Sequence, residues 1–183
     1  HKGAIFSMGI LCGALGRLSQ ESWSDSDRIL DLCAEMTQGL SVSDFAGITK
    51  ETASTNGQRL YLQYGITGIR GQIEEGLPAV RKAGLPVLKK GIARGLSLND
   101  AGCAALLALM VNSTDTNLIA RSSLSTQQET VKTLKALLEI NPYPDQDTLI
   151  RLDQEFIKKN LSPGGSADLL AICYLLYFLQ QAA

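Results

Sequence analysis

The chain has 183 residues, 45% of them hydrophobic and 5% aromatic, with a formal net charge of −1. That length suits one compact domain with a substantial core and hardly two. Near-neutral charge excludes a field that recruits nucleic acid or an anionic membrane, and so few aromatic rings disfavour a base-stacking platform. A soluble, cytoplasmic domain that handles small molecules is the expected class.

Taken in order, the segments read as helices, and strand signals are weak. "AIFSMGILCGALGRL" is apolar nearly all round, as a central helix would be. Behind His1 and Lys2 it has the look of a signal-peptide core, but no A-x-A cleavage site follows. Ser24 and Ser26 offer caps for "DRILDLCAEMTQGL", whose Ile29, Leu30, Leu32, Cys33 and Met36 form one stripe ending at Gly39. Thr55 or Asn56 opens "GQRLYLQYG", and glycine-rich turns frame "GITGIRGQIEEGLP" before Gly84-Leu85-Pro86 begins the next helix.

Ser97 and Asn99 introduce "DAGCAALLALMV", among the most apolar segments of the chain. Ser125 heads an amphipathic helix with Val131, Leu134, Leu137 and Leu138 inward; "NPYP" breaks it; Asp145 or Asp147 starts the next. The closing apolar run "LLAICYLLYFL" is shorter than the ~20 residues a bilayer span requires. With no repeat, linker or low-complexity tract, residues 1–183 read as a single all-α domain of about eight helices. The abrupt start at His1 suggests an N-terminally truncated fragment, the C-terminal portion of something longer.

Cys12, Cys33, Cys103 and Cys173 form no C-x-x-C pair and read as reduced core residues, and His1 as the sole histidine gives zinc no ligand set. Three other constellations carry chemistry. In "SPGGSAD", Ser162 reads as an N-cap and Pro163 as the first helical residue. Gly164 and Gly165 then leave first-turn N–H groups bare for a phosphate, with Ser166 adding a hydroxyl and Asp168 close by. A tight turn packed on a neighbouring helix fits the same residues. In "NSTDTNLIAR", Asn112 and Asp115 are spaced to share a helical face, as are Asn117 and Arg121. Oxygen ligands of that kind suit Mg²⁺, and a capped helix end is the other reading. In "TGIRGQIEEG", Arg70 and Glu74 read either as a surface ion pair or as a phosphate fork and a base. His1 and Lys2 read as a base and a phosphate ligand, or as terminal residues without a role.

In this order, "HKGAIFSMGILCGALGRL", "GQRLYLQYGITGIRG" with "EEGLP", "DTNLIAR" and "NLSPGGSADLL" resemble the triphosphoribosyl-dephospho-CoA synthase family. The resemblance spans the whole chain. It implies an all-α transferase that joins the triphosphoribosyl group of ATP to a ribose hydroxyl of 3'-dephospho-CoA and releases adenine, making the prosthetic-group precursor of citrate lyase. Carried over, the motif positions are His1, Lys2, Arg70, Glu74, Asp115, Asn117, Arg121 and Ser162 through Asp168.

Asp115, Glu74 and Asp168 are then the expected catalytic carboxylates. His1, Lys2, Arg70, Asn117, Arg121, Ser162, Gly164, Gly165 and Ser166 are expected to bind substrate, and Asp115 with Asn112 to hold Mg²⁺. Gln72 departs from the family pattern, which has an acid there, and Ser122-Ser123 stand where glycines usually follow the arginine. The expected partners are ATP, 3'-dephospho-CoA and an upstream portion of the same protein, with homo-oligomerisation open. The alternatives are the equivalent synthase serving malonate decarboxylase and a non-catalytic helical nucleotide-binding module.

Overall fold

The computed structural model describes residues 2–182, which form eleven α-helices and no strand. In chain order these are α1 (Lys2–Arg17), α2 (Ser26–Thr37), α3 (Leu40–Phe45), α4 (Asn56–Tyr64), α5 (Ile69–Glu74), α6 (Leu85–Ala93), α7 (Leu98–Asn112), α8 (Thr116–Arg121), α9 (Leu124–Ile140), α10 (Gln146–Lys158) and α11 (Gly164–Ala182). A widened turn, Val80–Gly84, runs directly into α6. The all-α expectation holds, and eight of the helices have at least seven residues. The other three, α3, α5 and α8, have six residues each and are too short to show a periodicity of their own.

The central helix is α7, not α1. Ala101, Ala105 and Leu109 of α7 face a large core shared with α1, α2, α6 and α11. Its Leu107 and Met110 face a second cluster with Leu118, Leu134 and Leu161. A helix buried on both sides has no polar stripe, which is what its sequence shows. By contrast, α1 buries only the face of Ser7, Leu11, Ala14 and Leu15, and Ile5 is 71% exposed. No helix of the described residues is long and apolar enough to cross a membrane.

Side chains supply most helix starts, sometimes from a neighbour of the expected residue. Asp25 caps α2 in place of Ser24 or Ser26, and Ser123 caps α9 in place of Ser125. Thr55 forms a reciprocal capping box with Gln58, while Ser97 and Asp145 cap α7 and α10. All four cysteines are free. Burial pushes the thiols of Cys33 and Cys173 up to about 11 and about 12, so both stay protonated and inert. Cys12, expected in the core, is exposed on the outer face of α1.

Small residues let α6, α7 and α11 approach closely. A Cβ on Gly84 would lie 2.6 Å from Leu109 Cδ2 and 2.7 Å from Cys173 Sγ. Real side chains do not meet at such distances, so Gly84→Ala must push the three helices apart. The expected cost is about 1–3 kcal/mol, read as a lowered urea midpoint with an unchanged slope.

Candidate functional site

The Asp115 carboxylate, only 3% exposed, ties two helix starts together. As the N-cap of α8 its Oδ1 accepts from the backbone N–H of Asn117 and Leu118 at 3.0 and 3.1 Å. Across fifty residues of chain, Oδ1 also accepts from Gly165 N–H at 3.2 Å. Its Oδ2 accepts from Ser166 N–H and Oγ at 2.8 and 2.9 Å. First-turn N–H groups and the positive ends of two helix dipoles thus satisfy one buried negative charge.

This arrangement corrects the expectation for "SPGGSAD". Pro163, not Ser162, is the residue before the first turn, because its carbonyl accepts from Ala167 N–H. The N–H groups of Gly165 and Ser166 do not await a phosphate, because Asp115 already occupies them. The glycines are there for clearance: a Cβ on Gly165 would sit 3.0 Å from Asp115 Oδ1, and one on Gly164 3.0 Å from Asn117 Nδ2. Ser166 is fully buried in its bond to Asp115, and Ser162 lines a separate cavity between α7 and α10.

Beside this knot lies a cavity of about 550 Å³. Lys2, Gly3 and Phe6 of α1 line it with Thr55 at the start of α4 and Gly68, Arg70 and Gln72 around α5. Thr116 and Asn117 of α8 close it with Gly165 and Asp168 of α11. Gly68 sits at φ +60°, ψ −140°, a backbone region essentially reserved for glycine, where the chain turns into α5.

Arg70 pairs through Nε with Asp44 of α3, not with Glu74. Its guanidinium carbon lies 5.5 Å from the ring centroid of Phe45 and 6.0 Å from that of Phe6. A half-exposed ion pair of this kind is weak. Asp168 of α11 lines the same cavity. Burial raises its pKa above the ordinary carboxylate value and the nearby Asp115 charge adds to the rise, while the Ala4 N–H opposes it.

The remaining expected residues scatter. Glu74 is half-buried on α5 and lines neither this cavity nor the adjoining one, and Arg121 is exposed at the end of α8. Asn112 and Asp115 do not share a helical face, because α7 ends at Asn112 and Ser113 is extended. The Asn112 amide donates to the Ala108 carbonyl at 2.8 Å. With both Asp115 oxygens surrounded by N–H and O–H donors, these two residues do not fit a Mg²⁺ site. Among the described residues no three His, Cys, Asp or Glu side chains cluster as metal ligands. His1 lies outside the described residues.

Reasoning from sequence also missed Asp44, which no local pattern ties to Arg70 26 residues on. It missed Phe6 as well, although Phe6 is one helical turn from Lys2.

The family model described as "CitG: ATP:dephospho-CoA triphosphoribosyl transferase" matches residues 1–183. The chain belongs to this family. A 2-(5''-triphosphoribosyl)-3'-dephosphocoenzyme-A synthase of Pectobacterium atrosepticum is 39% identical over 178 residues, covering 97% of this chain and 58% of the relative. Proteins of Vibrio cholerae and Malonomonas rubra, each described as a "Probable 2-(5''-triphosphoribosyl)-3'-dephosphocoenzyme-A synthase", are 36% and 38% identical. These alignments cover 99% of this chain and 59% of each relative. The CitG-family chain thus spans under three fifths of the length of these relatives. No solved structure matches it.

In this CitG-family chain the double cap makes Asp115 a structural residue first. Asp115→Asn turns an NH₂ toward N–H donors and weakens two helix starts together. We expect a loss of about 2–4 kcal/mol in urea unfolding without any ligand. A residue serving only a bound metal would leave that transition unmoved.

Proposed function

We propose that the protein carrying this chain transfers the triphosphoribosyl group of ATP to a ribose hydroxyl of 3'-dephospho-CoA and releases adenine. The carrying observation is that one cavity brings the cations Lys2 and Arg70 against Asp168, a carboxylate with a raised proton affinity. Family membership supports the same reading.

In this reaction the bond from the ATP ribose anomeric carbon to adenine breaks, and a bond from that carbon to the acceptor oxygen forms. Adenine leaves with the electron pair, and the acceptor hydroxyl gives up its proton. Asp168 is the base for that proton, and its carboxylate also favours the positive charge that develops on the sugar. Lys2 and Arg70 hold the retained phosphates, and Asn117 hydrogen-bonds to them. Mg²⁺ carried in with ATP as part of the substrate would neutralise phosphate charge without a protein carboxylate. The finer assignment, to the citrate lyase prosthetic group, rests on Lys2 within His1-Lys2-Gly3, and the cytoplasmic one on the four free cysteines.

The test is adenine release measured chromatographically with ATP, Mg²⁺ and 3'-dephospho-CoA. Adenine equimolar with the coupled product supports the proposal, whereas nucleotide binding without adenine favours the non-catalytic module. Asp168→Asn should lower turnover about 100-fold or more with the fold intact. A base must be deprotonated to act, so activity should fall on acidification through a pKa above the ordinary carboxylate range. An acid limb at the ordinary value would assign the base elsewhere.

A further inference from the structure

A second cavity, about 580 Å³, opens beside the first and shares Gln72, Ser113 and Thr114 with it. Its chemistry differs. Among the described residues no charged side chain lines it; Asn112, Gln127, Gln128 and Gln72 contribute amides, and Tyr64 and Val111 contribute a ring and an apolar wall. A nucleotide divides in the same way, with phosphates that need cations and a base that needs amides and apolar surface.

The amides are also oriented. Gln127 is 6% exposed, and its Nε2 donates to the Ser113 carbonyl at 3.2 Å. Asn112 Nδ2 donates to the Ala108 carbonyl. Because each partner is a backbone carbonyl, the NH₂ end of each amide must face it, which leaves the amide oxygen as the free end. Between the cavities, the buried Gln72 Oε1 has no hydrogen-bond partner among the described residues. A cavity that offers amide oxygens without internal partners, beside the remaining N–H of each amide, suits a ligand carrying N–H donors.

We infer that this second cavity is an adenine subsite in which Gln72 and one of the amide oxygens of Gln127 and Asn112 accept the two N–H of the exocyclic amine. The inference rests on the reading of the first cavity as a phosphate and reaction site. Both substrates of that reading carry adenine, and the base in the cavity belongs to one of them. A hypoxanthine ring, which bears a carbonyl oxygen in place of the amine, would set acceptor against acceptor.

The experiment replaces each adenine in turn, pairing ITP with 3'-dephospho-CoA and ATP with the deaminated dephospho-CoA. Turnover and calorimetric binding are measured for both pairs. We expect one analogue, and so one source of the base, to lose at least tenfold in affinity and in kcat/KM. That discrimination should shrink below threefold in Gln127→Met and in Gln72→Leu. Gln72 Oε1 has no partner among the described residues, so the Gln72 variant tests the subsite even if Gln127→Met fails to fold.

Equal use and binding of both analogues would overturn the inference, as would discrimination unchanged in Gln72→Leu. If no adenine is released but calorimetry still separates ATP from ITP through Gln72, the subsite stands and the proposed reaction falls. If adenine is released without discrimination, the reaction stands and the subsite falls.

Discussion

A single buried carboxylate organises the working end of this molecule. Asp115 caps α8, as a helix start requires, and the same two oxygens receive the first turn of α11. The start of α11 is thereby fixed in position and rotation, and Asp168 travels with it, one turn beyond Gly165. Asp168 in turn meets the first turn of α1, where a Cβ on Gly3 would come within 2.9 Å of its Oδ2. Three helix starts from distant parts of the sequence are thus brought together by two carboxylates, and the cavity is the space between them.

The frame behind that knot is built on close approach. Helix α7 carries alanines and Gly102 where it meets its neighbours, and Gly84 and Gly91 answer from the α6 side. Tight packing of this kind has one good arrangement and few near ones. It gives the cavities rigid walls, even though much of their lining comes from the short helices and turns between Thr55 and Asn117.

The long helices were legible because their apolar residues recur with helical spacing or, in α7 and α11, continuously. The six-residue helices were not, being shorter than two turns. At the site, chain order named Lys2, Arg70, Asn117, Gly165 and Asp168, and all five line one cavity. What sequence left open was who satisfies whom. Two bare glycines before an apolar helix read equally as a phosphate cradle or as room for a neighbour, and the neighbour is Asp115, fifty residues earlier. Arg70 likewise has a plausible partner at Glu74 and an actual one at Asp44. Local spacing exposes candidates, but only the tertiary fold decides between a partner close in sequence and one far from it.

The two kinds of electrostatic contact here answer differently to ionic strength. Asp115 is held by buried dipoles at hydrogen-bond distance, which mobile ions do not reach. Lys2 and Arg70 are at least partly open to solvent, where a Debye length of about 8 Å at physiological salt already dampens their field. Added salt therefore weakens the attraction these cations exert on anions long before it disturbs the architecture that presents them. A loss of attraction for anions in concentrated salt is consequently no sign of unfolding in this protein.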